Sequence, residues 1–189
     1  VTAVEIAVTG LDWDFSPTVA VARDDRWGRT YESYSEDPTV VKELGAALVK
    51  GIQGNVGSDF MQSGRLIATA KHYLGDGGTE KGKDQGNTLT NEADLVRLHA
   101  QGYISSLDAG VQTVMASFNS WNGEKIHGSQ YLLTEVLKNR MGFAHMAIEH
   151  GYQQGAMVRQ LMQAAGFAAI STRRDANTHE RVTASLLHR

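Results

Sequence analysis

Cysteine is absent from the 189-residue chain, which excludes disulfides and thiolate metal sites and leaves the redox compartment unread. Proline occurs only twice and aromatic residues make up 7%, yet apolar residues reach 41% against 21% charged. That balance belongs to a globular chain with a real core rather than to a disordered one. An excess of basic charge is also missing. With 18 Lys and Arg against 21 Asp and Glu the net charge is -3, so there is no field to bind nucleic acid by counterion release. No apolar run approaches the roughly 20 residues needed to cross a bilayer, and Val1-Thr2-Ala3-Val4-Glu5 lacks a basic segment followed by an apolar one. Neither nucleic acid nor membrane is an expected partner, and the compartment stays open.

What is present alternates helical and strand patterns. Residues 1 to 9 read as a short helix closed by Gly10, and Leu11 to Ala22 as a strand running into a loop. Asp37-Pro38 is a helix start, with Val41, Leu44 and Leu48 at helical spacing to about residue 53. Leu66 to Ala70 reads as a buried parallel strand that delivers Lys71-His72-Tyr73 and a glycine-rich loop at its end. Ala93, Val96, Ala100, Ile104 and Leu107 mark one helix face closed by Gly110. A strand over Val111 to Phe118 and a helix over Tyr131 to Met141 follow. This order predicts a parallel α/β arrangement whose chemistry collects beyond the carboxyl ends of the strands. Barrel and open sheet both fit it.

The segment Arg23-Asp24-Asp25-Arg26-Trp27-Gly28-Arg29-Thr30-Tyr31-Glu32-Ser33-Tyr34-Ser35-Glu36-Asp37-Pro38 mixes arginines, carboxylates and aromatic rings. Guanidinium forks donate, carboxylates accept from hydroxyls, and aromatic faces cover C–H surfaces, so the mixture suits a polar ring. Composition alone fits a solvated charged loop better.

The literal string is more specific. Trp27 to Pro38 closely resembles a loop of family 3 β-glucosidases and exo-glucanases. The likeness continues through residues 70 to 79, through Met115-Ala116-Ser117-Phe118-Asn119-Ser120-Trp121-Asn122-Gly123, and to Leu137-Lys138-Asn139-Arg140-Met141-Gly142-Phe143. It covers roughly residues 1 to 143. The resemblance implies part of a (β/α)8 barrel in which Arg29, Lys71 and His72 hold hydroxyls of a terminal glucose. It further implies that Asp76, with Gly77-Gly78, holds the Lys-His strand end, and that Phe118 forms a wall beside the subsite, although plain core packing suits Phe118 equally. Trp121 and Asn122 read as structural, and Asp12, Trp13 and Asp14 as supporting residues. No cofactor is implied.

The likeness breaks where bond cleavage would occur. Retaining glycosidases need two carboxyl groups about 5–5.5 Å apart. The family nucleophile is an Asp in a Ser-Asp-Trp motif soon after the Met-Gly-Phe block, whereas this chain continues Ala144-His145-Met146-Ala147-Ile148-Glu149-His150-Gly151. Counting on from Phe143 puts His150 at the nucleophile's place. Glu149 is the first candidate carboxylate, with Asp76 or Glu32 next; the family's acid/base, which usually comes from a later domain, is unaccounted for. Residues 146 to 186 resemble instead the C-terminal end of release-factor glutamine methyltransferases, a strand, a helix and a closing hairpin of a Rossmann-like sheet. The helix is marked by Val158, Leu161, Met162 and Ala165, and the hairpin by residues 168–173 and 181–186. The glycine-rich loop and Asn-Pro-Pro-Tyr motif of those enzymes are absent.

The expected architecture is therefore a partial, half TIM-type barrel over residues 1–143, with residues 144–189 completing the same sheet. About four parallel-type strands are too few to close a barrel, so a homodimer or higher oligomer is expected. The expected function is a carbohydrate-active chain of β-glucosidase descent that holds a β-glucoside or glucose-type sugar, with hydrolysis weak or lost. The alternative is a non-catalytic chimeric α/β protein that folds and oligomerises without an evolved ligand. A metal-dependent hydrolase using His72, His150 and Glu149 has the ligand types but no ligand-spacing motif, and no metal is expected.

Overall fold

The computed structural model describes residues 1–143, 145–149, 153–164, 168–174 and 178–186. It divides into two compact units, Val1–Leu133 and Thr134–Arg189, so the division falls before residue 143, inside the helix that the sequence pattern predicts there. Among the described residues no helix is long and apolar enough to cross a membrane.

The centre of the first unit is parallel. Strand β1 (Thr69–Tyr73) pairs with β3 (Thr113–Ala116), Thr69 opposite Thr113, with an irregularity between Lys71 and Tyr73. On its other side β1 and the residues before it take a third segment in parallel, through Trp13 opposite Ile67 and Thr18 opposite Lys71. The expected strand over Leu11 to Ala22 is thus reduced to isolated bridges, around a cis Ser16–Pro17 bond, because a proline has no N–H to give a ladder. The expected strand at Leu66 to Ala70 lies three residues later, carrying Lys71 and His72 within it.

Helix α1 (Thr2–Ala7) precedes this sheet, and α2 (Pro38–Gln53) and α3 (residues 92–108) pack together beside it. Helix α2 starts as the sequence predicts, with Asp37 Oδ1 accepting from the Thr39 N–H at 2.8 Å and Pro38 in the first turn. Helix α3 consists of Glu92–Asp94, a π-wound Leu95–Ala100 and Gln101–Asp108.

Which faces these helices bury departs from the apolar pattern. Leu44 and Val96 are 46% and 42% exposed, and Ala93 is exposed. The buried faces are Val41, Gly45, Val49, Ile52 and Gln53 on α2, and Leu95, His99, Ala100, Gly102, Tyr103, Ser105 and Ser106 on α3, which keeps Val41 and Ala100 of the expected pattern. The cause is close approach. A Cβ added at Gly45 would lie 2.7 Å from Val19 Cγ1, and one at Gly102 would lie 2.8 Å from Val19 Cβ. Only small residues fit there, and the serine hydroxyls are satisfied by backbone of the two helices: Ser106 Oγ donates to the Gly102 carbonyl within α3 and Ser105 Oγ to the Lys42 carbonyl on α2.

A fully buried amide ties these layers together. Gln53 Nε2 donates to the Gly110 carbonyl at 2.8 Å, while its Oε1 accepts from the N–H groups of Ala68 and Gln112, both at 3.0 Å. One side chain at the end of α2 thereby sets the approach to both β1 and β3. A smaller sheet, β2 (Asn87–Thr88), β4 (Ser120–Trp121) and β5 (Glu124–Lys125), runs β2-β4-β5. Trp121 Nε1 and Asn122 Nδ2 both donate to the Thr90 carbonyl, a bracing role for both.

Helix α4 (Tyr131–Arg140), π-wound, runs from the first unit into the second. In the second unit β6 (His145–Glu149), helix α5 (Gly155–Ala164), β7 (Ala168–Arg174) and β8 (Glu180–Leu186) follow in the expected order of strand, helix and hairpin. Among the described residues they do not add to the parallel sheet: β6 and β7 both pair antiparallel with β8, the last strand in the chain, giving a sheet of their own in the order β6-β8-β7. On α5, Val158 and Met162 are buried but Leu161 is 61% exposed, and Ala165 lies outside the described residues. Arg159 Nη1 joins α5 to the hairpin through Thr172 Oγ1 and Glu180 Oε2, both at 2.9 Å.

Candidate functional site

The polar groups gather beyond the carboxyl ends of the parallel segments, where such folds place their chemistry. The first loop gets there by burying its tryptophan. Trp27 is 1% exposed, clusters with Ala20 and Ala22, and donates from Nε1 to Asp84 Oδ1 at 3.3 Å. It is a core anchor and offers no face to a sugar, contrary to the reading of its loop as a stacking surface. Thr30 Oγ1 donates back to the Trp27 carbonyl at 2.8 Å, and Ser33 Oγ to the Ala20 carbonyl at 2.8 Å. These bonds fold residues Thr30–Glu32 into a single 3-10 turn with Arg29 at its head.

Four side chains then form one chain of contacts. Glu32 grips Arg29 side-on, Oε1 to Nε at 2.7 Å and Oε2 to Nη2 at 2.8 Å. Arg29 Nη2 also reaches His72 Nε2 at 2.9 Å, and His72 Nδ1 reaches Asp76 Oδ2 at 2.9 Å. Hydrogen bonding to Glu32 raises the Arg29 pKa, and the same bonds lower that of Glu32, with burial opposing both. Lys71, half-buried, adds to the lowering at Glu32 and has no hydrogen-bond partner among the described residues.

Asp76 sits in the turn Asp76–Gly78, after Gly75 in the left-handed conformation (φ 87°). A Cβ at Gly77 would overlap the Val21 carbonyl oxygen, and one at Gly78 would lie 2.6 Å from His99 Nε2. The glycines thus let the turn lie flat on the segment that carries Trp27 and on α3. Asp76 is 6% exposed and its second oxygen, Oδ1, has no partner among the described residues. His99, below the turn, was not singled out by any sequence signal; burial pushes its imidazole down to about 4.

Phe118 lies just past the end of β3, not in it, and is 61% exposed. Its ring meets that of His127 edge-on, centroids 5.0 Å apart. The structure therefore brings Arg29, His72 and Asp76 into direct contact, with Lys71 adjacent in the chain to His72. Glu149 ends β6 in the second unit, its backbone opposite Val182, and His150 lies outside the described residues. Among the described residues no group of three His, Asp or Glu is placed to hold a metal ion.

The model of the glycosyl hydrolase family 3 N terminal domain matches residues 1–167. The chain belongs to glycosyl hydrolase family 3. The family match runs beyond residue 143, over the first part of the segment read as methyltransferase-like. The periplasmic β-glucosidase of Salmonella typhimurium is 33% identical over 152 residues, 80% of this chain and 20% of that protein. The exo-1,3/1,4-β-glucanase of a Pseudoalteromonas species is 62% identical with a TM-score of 0.74, covering 75% of this chain and 18% of the glucanase. The β-glucosidase of Listeria innocua, solved in complex with glucose, is 32% identical with a TM-score of 0.71 over 75% of this chain and 20% of its own. The family 3 chain described here thus spans about a fifth of the length of the relatives it matches. Its fold is part of the TIM-barrel-like α/β fold of that family.

Proposed function

We propose that this family 3 chain holds the terminal ring of a β-glucoside or glucose-type sugar, through Arg29 and His72 with Lys71 beside them, and does so with little or no hydrolysis. The observation that carries the reading is the contact chain Glu32–Arg29–His72–Asp76 at the carboxyl end of β1. It aligns donors at fixed positions, and a neighbouring ammonium without a hydrogen-bond partner among the described residues adds to them, which is how sugar hydroxyls are held. Asp76 supports the ring of His72, and Phe118 supplies an exposed apolar wall. Glucose is the ligand of a 32%-identical neighbour, which supports the sugar class.

Poor hydrolysis follows from residues. No Ser-Asp-Trp motif occurs in the chain, and the counted nucleophile position is His150, leaving Glu149 as the nearest carboxylate. We further propose that residues 144–189 are a segment of methyltransferase type, supported by the order strand, helix, hairpin, and that the open half-barrel pairs with a second copy in solution.

The test is calorimetric titration of the chain with glucose, alongside an aryl β-glucoside assay of the chain and of Glu149→Gln and Lys71→Ala. Glucose binding that is lost in Lys71→Ala, with no turnover above buffer, is the expected result. Absence of any sugar binding would sink the reading. Turnover abolished by Glu149→Gln would instead establish a working glycosidase.

A further inference from the structure

We infer that Glu32 is a positioning residue, neither a sugar ligand nor a catalytic carboxylate, which fixes the single edge of Arg29 that faces a ligand; this rests on the sugar site proposed above. Glu32 closes the turn that Arg29 opens, three residues away, so the carboxylate meets the guanidinium side-on with contacts of 2.7 and 2.8 Å. Such bidentate pairs fix orientation as well as charge. The pair is sheltered, with the two side chains 31% and 20% exposed, and Glu32 Oε2 also accepts from Thr18 Oγ1 at 3.3 Å. Thr18 is bridged to Lys71, so the carboxylate is anchored to the parallel segments.

Donor accounting gives the consequence. A guanidinium has five N–H donors. Glu32 takes the one on Nε and one on Nη2, and His72 Nε2 takes the other on Nη2. The two that remain are both on Nη1, so Arg29 presents one edge and two donors. Both oxygens of Glu32 are turned to the guanidinium, so its carboxylate is held in the ion pair.

The test has two arms. In the first, the Arg29 Nε–Hε resonance of ¹⁵N-arginine-labelled protein is compared between the unmodified chain, Glu32→Gln and Glu32→Asp. A protected, dispersed signal is expected in the unmodified chain, lost in Glu32→Gln and displaced in Glu32→Asp. An unchanged signal in Glu32→Gln would overturn the inference whether or not sugar binds. In the second, glucose affinity is measured for Glu32→Gln, Arg29→Ala and the double variant. A loss of about tenfold or more is expected for Glu32→Gln, with no additional loss when it is added to Arg29→Ala. Additive losses would overturn it. If the unmodified chain binds no glucose, the sugar reading fails and the resonance arm still decides whether Glu32 fixes Arg29. Thermal unfolding of each variant separates misfolding from loss of aim, and Glu32→Asp retains the charge should Glu32→Gln fail to fold.

Discussion

His72 and Asp76 face each other across the glycine turn that ends β1, Nδ1 to Oδ2 at 2.9 Å, with Arg29 Nη2 on the opposite ring nitrogen at 2.9 Å. A guanidinium can only donate, so Nε2 accepts and Nδ1 carries the proton that goes to Asp76. The imidazole is held as one tautomer between a cation and an anion. Replacing Asp76 by Asn puts an amide where a pure acceptor stood and frees the ring to turn. The expected outcome is loss of the Nδ1–H pattern of His72 in long-range ¹H–¹⁵N spectra, with glucose affinity lower by about tenfold. An unaltered His72 pattern in Asp76→Asn would contradict the assignment.

The turn itself is a close fit. Because a Cβ at Gly77 would overlap the Val21 carbonyl oxygen, Gly77→Ala must displace backbone. A cost of about 1–3 kcal/mol is expected in urea unfolding, as for other overpacked sites. Sugar affinity should fall with it, since Asp76 shares the turn. Gly28→Ala, which meets nothing within 4 Å, is the control and should change neither.

Phe118 separates a wall from a core. At 61% exposed it contributes little to folding, so Phe118→Ala should shift stability by no more than about 0.5 kcal/mol. Weaker glucose binding with unchanged unfolding would fit the wall. A large stability loss would show that the ring packs after all.

His99 gives a pH dependence of definite sign. It is 4% exposed, and burial lowers its pKa from 6.5 to about 4. Between those values the unfolded chain binds a proton that the folded chain refuses, so stability is full above about 6.5 and declines as pH falls toward 4. The slope from this one group is at most about 1.4 kcal/mol per pH unit, about 3 kcal/mol in all. The measurement is urea unfolding at several pH values for the chain and for His99→Gln. The difference between the two curves should grow in the acid direction across that window and be flat above it.

How far the sequence could be read depended on which physical signal each residue carried. Lys71 and His72 were legible because polar groups end an apolar run just before glycines, and the structure sets them in the second half of β1. The start of α2 was legible because Asp37 and Pro38 act locally. The buried faces of α2 and α3 were not, since a periodic pattern marks large apolar side chains while Gly45, Gly102, Ser105 and Ser106 are buried for being small. Trp27 reads as a stacking surface among charges until the loop is folded, and then it is the anchor. Gln53 carries no local sign of its burial, because its partners at Ala68, Gly110 and Gln112 are distant in the chain. In the tail, the strand and hairpin were expected from the resemblance, and only the helix was marked by its own spacing, at Val158, Leu161 and Met162. Sheet membership was not, because pairing is chosen between strands and no single strand encodes it.

Val19 is where two helices and one parallel segment contend for the same space. A methyl group at Gly45 would need the room held by its Cγ1, and one at Gly102 the room beside its Cβ. The three positions are therefore not free to vary separately. Shrinking Val19 to Ala removes Cγ1 and should rescue Gly45→Ala, a case of second-site suppression, but it keeps Cβ and should leave Gly102→Ala unrelieved. Among descendants of this chain, bulk would pass between positions 19 and 45 as an exchange, gained at one only when surrendered at the other, while position 102 would stay small.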